Sequence, residues 1–234
     1  MSDAKKKINL GCGPVGKDDW VNIDWGILAF LHKFTFIENI LLNLKLLPKG
    51  YNVRWPRNLK LHNCKRKLPF ATYSLDYVYT SHLIEHFKKF DAESILKDCC
   101  RVLKKGGIIR VVVPDLELLV KKYLENDRDY FKKINALMNF AQRDYSGENL
   151  VLADVLMENF YPLFYKNKPL GMQRLFTYFI RPHYWMYDYP SLESLLRSAG
   201  FANIQRRKFR EGRVPGLESL DVLPEMSLYV EAEK

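Results

Sequence analysis

Short apolar runs alternate with amphipathic stretches along this chain. Lys7–Leu10, Trp20–Asp24, Asn58–His62 and Leu75–Thr80 each read as a strand, and "IIRVVV", Ile108–Val113, is the clearest. Its β-branched run is that of a strand covered on both faces. Elsewhere the apolar period is helical. Ala92, Ile95, Leu96, Cys99, Val102 and Leu103 share one helix face, with Asp91 as the predicted cap and "KKGG" as the stop. Ser191 is the predicted cap of "LESLLRSAG", with Gly200 at its end. "FANIQRRKF" and "MSLYVEAE" then read as closing strands, an antiparallel hairpin at the sheet edge. This alternation predicts a parallel sheet with crossover helices.

Two segments exceed a minimal alternating fold, residues 26–58 and 116–182. Within the first, Gly26–Gly50 is rich in Leu, Ile and Phe but carries Lys33, Glu38, Asn39, Asn43 and Lys45. It is too polar to span a membrane and reads as an amphipathic helix packed on its own domain, a pocket or a membrane surface. The second reads as a helical cap over the strand ends. The 234 residues fit one domain, 1–234, with these two insertions.

Lys and Arg total 37 against 27 Asp and Glu, a net charge of +10. That balance favours anionic partners, but the basic residues are scattered and read chiefly as solvated surface. Cys12, Cys64, Cys99 and Cys100 form no C-x-x-C pair, so a zinc ribbon is not expected and buried thiols in a reducing compartment are. "MSDAKKK" leads straight into a strand, so a cytoplasmic protein is expected, at most peripheral to a membrane.

Gly11, Gly13 and Gly16 spell G-x-G-x-x-G, the dinucleotide fingerprint. That fingerprint needs a full helix before the next strand and an acid about 20 residues on. Here the acid is Asp24, thirteen positions after Gly11. The gap leaves no room for a pyrophosphate-binding helix. What remains is strand, "GCG", short loop, strand and acid. That arrangement suits a cofactor with a ribose and an amino-acid end but no pyrophosphate, such as S-adenosylmethionine.

"INLGCGP", "WVNIDW", "LPFATYSLDYVYTSHLIEHF" and "CRVLKKGGIIRVVVPD" resemble the successive motifs of class I S-adenosylmethionine-dependent methyltransferases, type 11 group. The resemblance implies an α/β fold: a Rossmann-like, seven-stranded, mostly parallel sheet with an antiparallel last strand, helices on both faces and a helical cap. It implies that Asn9, Leu10, Gly11, Cys12 and Gly13 wrap the methionine part. Asn9 stands where an acid is usual. Asp24 matches the ribose-binding acid. Asn63, with Cys64, matches the adenine side, where the family usually has Asp. Ser81 and His82 match the strand-four exit beside the cofactor.

"HLIEH", His82 to His86, also has the H-x-x-E-H spacing of an inverted zinc-peptidase signature. No third ligand is evident, so a zinc hydrolase using His82, Glu85 and His86 is set aside and no metal is expected. Methyl transfer asks the enzyme for positioning and removal of a proton. Candidate bases are His82, Asp115 and His183. For His183 a structural bond to Tyr187 or Asp188 is the alternative, and for Asp115 a helix cap. Neither the Asp/Asn-Pro-Pro-aromatic motif of exocyclic-amine methylation nor a Pro-Cys dipeptide occurs, which disfavours nucleic acid. The expected acceptor is a small molecule, a glycan or a lipid-linked compound methylated on oxygen, with weak anionic-membrane association suited to the last. A catalytically inactive S-adenosylmethionine-binding module, motivated by Asn9 and Asn63, is the alternative.

Overall fold

The computed structural model describes residues 5–43, 55–137, 151–160 and 182–234. Seven strands form one sheet: β1 (Lys7–Leu10), β2 (Val21–Asp24), β3 (Lys60–Leu61), β4 (Leu75–Ser81), β5 (Leu103–Pro114), β6 (Ala202–Arg207) and β7 (Ser227–Glu233). Their order is β3-β2-β1-β4-β5-β7-β6. The first five pair in parallel, and β7 runs antiparallel between β5 and β6. The expected sheet is present, with the closing hairpin at its edge. Strand order reverses at β1, which touches both β2 and β4. In such sheets the crevice beyond the carboxyl ends at that reversal is where ligands bind.

Alternation along β5 builds two cores. Ile109, Val111 and Val113 pack with α3 (Lys89–Val102) and α7 (Tyr189–Ser198). Ile108 and Val112 face Trp20, Tyr79 and the short α8 (Leu217–Leu220). Between them Arg110 is wholly buried. It forks onto Asp221 at 3.0 and 2.5 Å and reaches Glu231 at 3.4 Å, while the carbonyls of Lys208 and Glu211 take its other N–H groups.

Two predicted caps are corrected. α3 starts after Lys88, which makes no side-chain cap bond, and Asp91 lies inside the first turn. There its carboxylate meets the helix's positive end and pairs with Lys65 at 2.9 Å. α7 is capped by Asp188, not Ser191. The Ser191 N–H donates to Asp188 Oδ1 at 2.9 Å, and the Asp188 N–H donates back to Ser191 Oγ at 3.1 Å, a reciprocal box. Nor does "KKGG" simply end α3: the chain passes straight into β5 and bulges there, so that Leu103 pairs with Leu75 and Ile108 with Tyr77.

The first insertion forms two helices, α1 (Ile27–Lys33) and α2 (Thr35–Asn43), rather than one, because Phe34 leaves the helical region at ψ 68°. Residues 44–54 lie outside the described residues. In the second insertion α4 (Leu116–Leu124), α5 (Arg128–Leu137) and α6 (Leu152–Phe160) bury Leu119, Phe131, Ile134 and Val155 against Met186 and Met226. Met226 immediately precedes β7, whose Ser227 pairs with Pro114 at the end of β5. The expected cap therefore stands over the carboxyl end of the sheet. Residues 138–150 and 161–181 are not among those described. No helix among the described residues is long and apolar enough to cross a membrane.

Candidate active site

Residues 11–20 carry the chain from β1 to β2 without a helix. The N–H groups of Gly11 and Cys12 both donate to the Ile23 carbonyl, at 2.8 and 3.1 Å, folding the loop onto the end of β2. Gly11 and Gly13 both take positive φ, 70° and 48°. A Cβ on Gly11 would lie 2.7 Å from Leu83 Cδ1, whereas one on Gly13 would meet nothing within 4 Å. Gly11 is thus forced by conformation and packing together, and Gly13 borders open space. Gly16 is a packing glycine, pressed against Pro56 and Asn22.

Asp24 ends β2. Its Oδ2 accepts from the Gly13 N–H at 2.8 Å and its Oδ1 from the Trp25 N–H at 2.6 Å. Two backbone donors fix the carboxylate and leave lone pairs on each oxygen for ligand hydroxyls. Burial raises its carboxyl above the ordinary value, partly offset by those two N–H groups and by the charge of His86. An oriented acid beside an open glycine turn fits a ribose-bearing cofactor without pyrophosphate.

The remaining predicted residues differ in placement. Asn9 is buried, and its Nδ2 donates to the Val15 carbonyl at 2.7 Å, bracing the loop from inside. Leu10 is buried in the core. The Cys12 side chain points away from the turn, packing on Ala29 and Leu59, and burial pushes its thiol up. Asn63 Oδ1 accepts from the Lys65 N–H at 3.0 Å in the loop after β3, next to Asp24, while Cys64 joins the core. All four cysteines are buried. Ser81 ends β4, and the following His82 takes φ 49°.

His82 Nε2 lies 3.0 Å from Ser227 Oγ, and its Nδ1 lies 3.3 Å from Glu85 Oε1. Glu85 is fully buried, and beyond the His82 contact its oxygens make no hydrogen bond. Burial would raise its carboxyl, but the imidazoles of His82, His86 and His183 hold it below the usual value. His86 and His183 stack edge-on, 4.8 Å between ring centroids. His183 Nδ1 bonds the Asn159 carbonyl, not Tyr187 or Asp188. Burial lowers its pKa to about 4, so the ring is neutral near pH 7. His82 and His183 therefore converge on Glu85.

Asp115 is committed elsewhere. Its Oδ1 caps α4 through the Leu118 N–H at 3.1 Å, and its Oδ2 pairs with Arg206 at 2.7 Å. The peptidase-like helix face does not form either: Ile84–His86 is a single 3-10 turn, with His82 outside it.

From the sequence, Glu85 and His86 had no place in a cluster with His183, and Leu83 none against the glycine turn. The H-x-x-E-H spacing was the signal for the first two. The backbone N–H groups of Tyr184 and Trp185 both donate to the Glu85 carbonyl, at 2.8 and 3.2 Å, and this lays the His183 segment against the motif. No sequence pattern announces that pairing.

Residues 48–111 match the family model of a methyltransferase domain. The match covers part of the chain, and the Rossmann-like sheet with β7 antiparallel beside β5 is the methyltransferase fold. Gly11, Gly13 and Asp24 fit the S-adenosylmethionine that such a domain uses as methyl donor. None of the curated proteins matches the chain. Among solved structures, a possible histamine N-methyltransferase from Thermotoga maritima is 16% identical, with TM-score 0.44 over 98% of this chain and 81% of its own. A methyltransferase from Methanosarcina mazei is 15% identical, with TM-score 0.47 over 99% of this chain and 93% of its own. A possible exported protein from Bordetella parapertussis is 11% identical, with TM-score 0.46 over 99% of this chain. This chain spans 62% of that protein's length and half of some others'.

Proposed function

We propose that the protein transfers the methyl group of S-adenosylmethionine to an oxygen of a small-molecule, glycan or lipid-linked acceptor. The carrying observation is the glycine turn bonded to Asp24 with no helix between them. In this reading the backbone of Asn9–Gly13 holds the methionine end, with Asn9 bracing the loop. Asp24 accepts from the ribose hydroxyls. Asn63 and the backbone at Cys64 border the adenine, and Ser81 borders the sulfonium side.

The sulfonium makes the methyl carbon electrophilic, so the chain supplies alignment and a proton acceptor. The acceptor oxygen donates a lone pair to the methyl carbon. The carbon–sulfur bond breaks, and its electron pair stays on sulfur. The acceptor's proton passes to the His82 imidazole, beside the Glu85 carboxylate, and His183, whose pKa burial lowers to about 4, is the weaker acceptor. Asp115, with both oxygens engaged, is the weakest of the three candidates.

An apolar surface suits the lipid-linked choice. Trp25, Phe30, Phe34, Phe36, Ile37 and Ile40 are all exposed around α1 and α2, directly after Asp24. With a net charge of +10, that face would settle on anionic bilayers. Calorimetry with S-adenosylmethionine tests the cofactor reading, and absence of binding to folded protein defeats it. Release of S-adenosylhomocysteine across an acceptor panel then tests the chemistry. Flotation with anionic vesicles tests the membrane, and a Phe34→Ser/Phe36→Ser variant that floats like the parent rules that part out.

A further inference from the structure

We propose that Glu85, His86 and His183 form a binding site for one divalent transition-metal ion, zinc above all, beside the cofactor turn. One ligand atom from each of the three residues lies within 4.8 Å of the others. Two imidazole nitrogens and a carboxylate oxygen are a donor set that zinc accepts, with a fourth position left open.

The chain's own hydrogen bonds prepare this set. His86 Nδ1 faces the Pro182 carbonyl at 3.2 Å, and His183 Nδ1 faces the Asn159 carbonyl. A carbonyl only accepts, so each Nδ1 carries the proton and Nε2 is the basic nitrogen of each ring. Metal-bound histidines are commonly held in this way, by a backbone carbonyl on the far nitrogen. Glu85 supplies the independent sign. It is 0% exposed, and with His82 Nδ1 3.3 Å from Oε1, its Oε2 makes no hydrogen bond. A buried carboxylate left so is costly, and a cation is the partner that resolves it. His82 Nδ1, 3.3 Å from Oε1, is placed to hold that oxygen while the other binds the ion.

Ligand atoms around a tetrahedral zinc stand about 3.4 Å apart, given bonds of about 2.0–2.1 Å. The three groups would therefore draw together by about an ångström on binding. The cysteines take no part, because all four are buried elsewhere in the cores or on the loop's far side. An acceptor hydroxyl on the open position would lose its proton more readily. That consequence rests on the methyl-transfer reading, and metal binding itself does not.

The test is calorimetric titration of chelator-stripped protein with zinc, alongside the visible spectrum of the cobalt(II) form. One ion per chain is expected, with an intense cobalt spectrum typical of four or five ligands. His86→Ala, His183→Ala and Glu85→Gln should each weaken zinc more than about tenfold. Circular dichroism establishes which variants fold, and any one folded variant suffices alongside the parent's cobalt spectrum. Failure of folded parent protein to bind zinc overturns the site, as does binding that every folded variant leaves unchanged. S-adenosylhomocysteine affinity is measured on the same samples. Zinc binding without cofactor binding would defeat the methyl-transfer reading and leave the metal site standing.

Discussion

The backbone N–H of Gly13 donates to Oδ2 of Asp24 at 2.8 Å, across eleven positions of chain. This bond joins the turn after β1 to the acid that ends β2, so the two halves of the proposed cofactor site are one unit. The Trp25 N–H holds the other oxygen at 2.6 Å. The carboxylate is thus aimed before any ligand arrives. Asp24→Ala should remove an oriented, charged acceptor and lower cofactor affinity about ten- to a hundredfold. Calorimetry with S-adenosylhomocysteine reads this directly, and an unchanged affinity would refute the ribose assignment.

The same residue sets a pH dependence. Burial raises the Asp24 carboxyl, and in the proposed reading the ionised form is the one that accepts two ribose hydroxyls. Affinity should therefore be full above the raised pKa and decline on acidification before an ordinary carboxylate, near about 3.9, would protonate. Stability runs the other way. A carboxyl raised in the folded state binds its proton more readily there than in the unfolded chain. Its contribution is greatest in acid and is lost as pH rises through the folded value. Affinity measured between neutral and mildly acidic pH should fall for the parent. Asp24→Asn should start weaker and stay flat, and a parallel decline in both would assign the titration to another group.

Gly11 carries two constraints that a double substitution separates. At φ 70° an alanine meets the left-handed penalty, about 1–2 kcal/mol, and its Cβ would sit 2.7–2.9 Å from Leu83 side-chain atoms. Gly11→Ala should lower the melting temperature and weaken the cofactor. Gly11→Ala/Leu83→Ala should recover part of the affinity by removing the clash, though not the backbone strain. No recovery at all would mean that Leu83 does not wedge the turn.

Much of this was legible beforehand because it rests on local pattern. The strands β1, β2, β4 and β5 follow from apolar runs, and the missing helix between β1 and β2 from a spacing too short to hold one. Position along the helix surface was read correctly for α3, since Ala92, Ile95, Leu96 and Cys99 are all buried. The caps were harder, because Asp188 and Ser191 exchange bonds and either alone looks like the start of α7. Non-local pairings were out of reach. Arg110 sits in a β-branched run, and only the fold brings Asp221 and Glu231 to it. His183 meets Glu85 through backbone bonds spanning roughly a hundred residues, which no spacing rule encodes.

Asp115 offers a test of role. Its two oxygens cap α4 and pair with a half-exposed Arg206, so Asp115→Ala should cost about 1 kcal/mol, mostly for the cap. Urea unfolding measures that loss. Turnover per folded molecule should change little. A loss of several hundredfold in kcat, with the cofactor affinity kept, would instead make Asp115 the general base.

Arg110 should be the most sensitive charge in the sheet. Its guanidinium, 0% exposed, satisfies Asp221 and Glu231, which are themselves buried at 1% and 0%. Glu231 keeps the Arg213 N–H at 3.0 Å and the charge of Arg207, whose Nε lies 3.5 Å away. Asp221 keeps the Arg210 N–H at 2.8 Å and lies 3.3 Å from the Tyr79 hydroxyl, but it loses both fork bonds with Arg110. Replacing Arg110 with Met fills a similar volume and leaves two carboxylates without their shared cation. Breaking a buried pair from one side costs about 3–5 kcal/mol. Arg110→Met should therefore shift the urea midpoint by most of a small domain's stability margin. Arg110→Met/Asp221→Leu removes one orphaned charge together with its partner and should recover part of the loss. If the double variant is no more stable than the single one, the penalty lies in the carbonyls of Lys208 and Glu211 that lose their donors, rather than in the unpaired carboxylate.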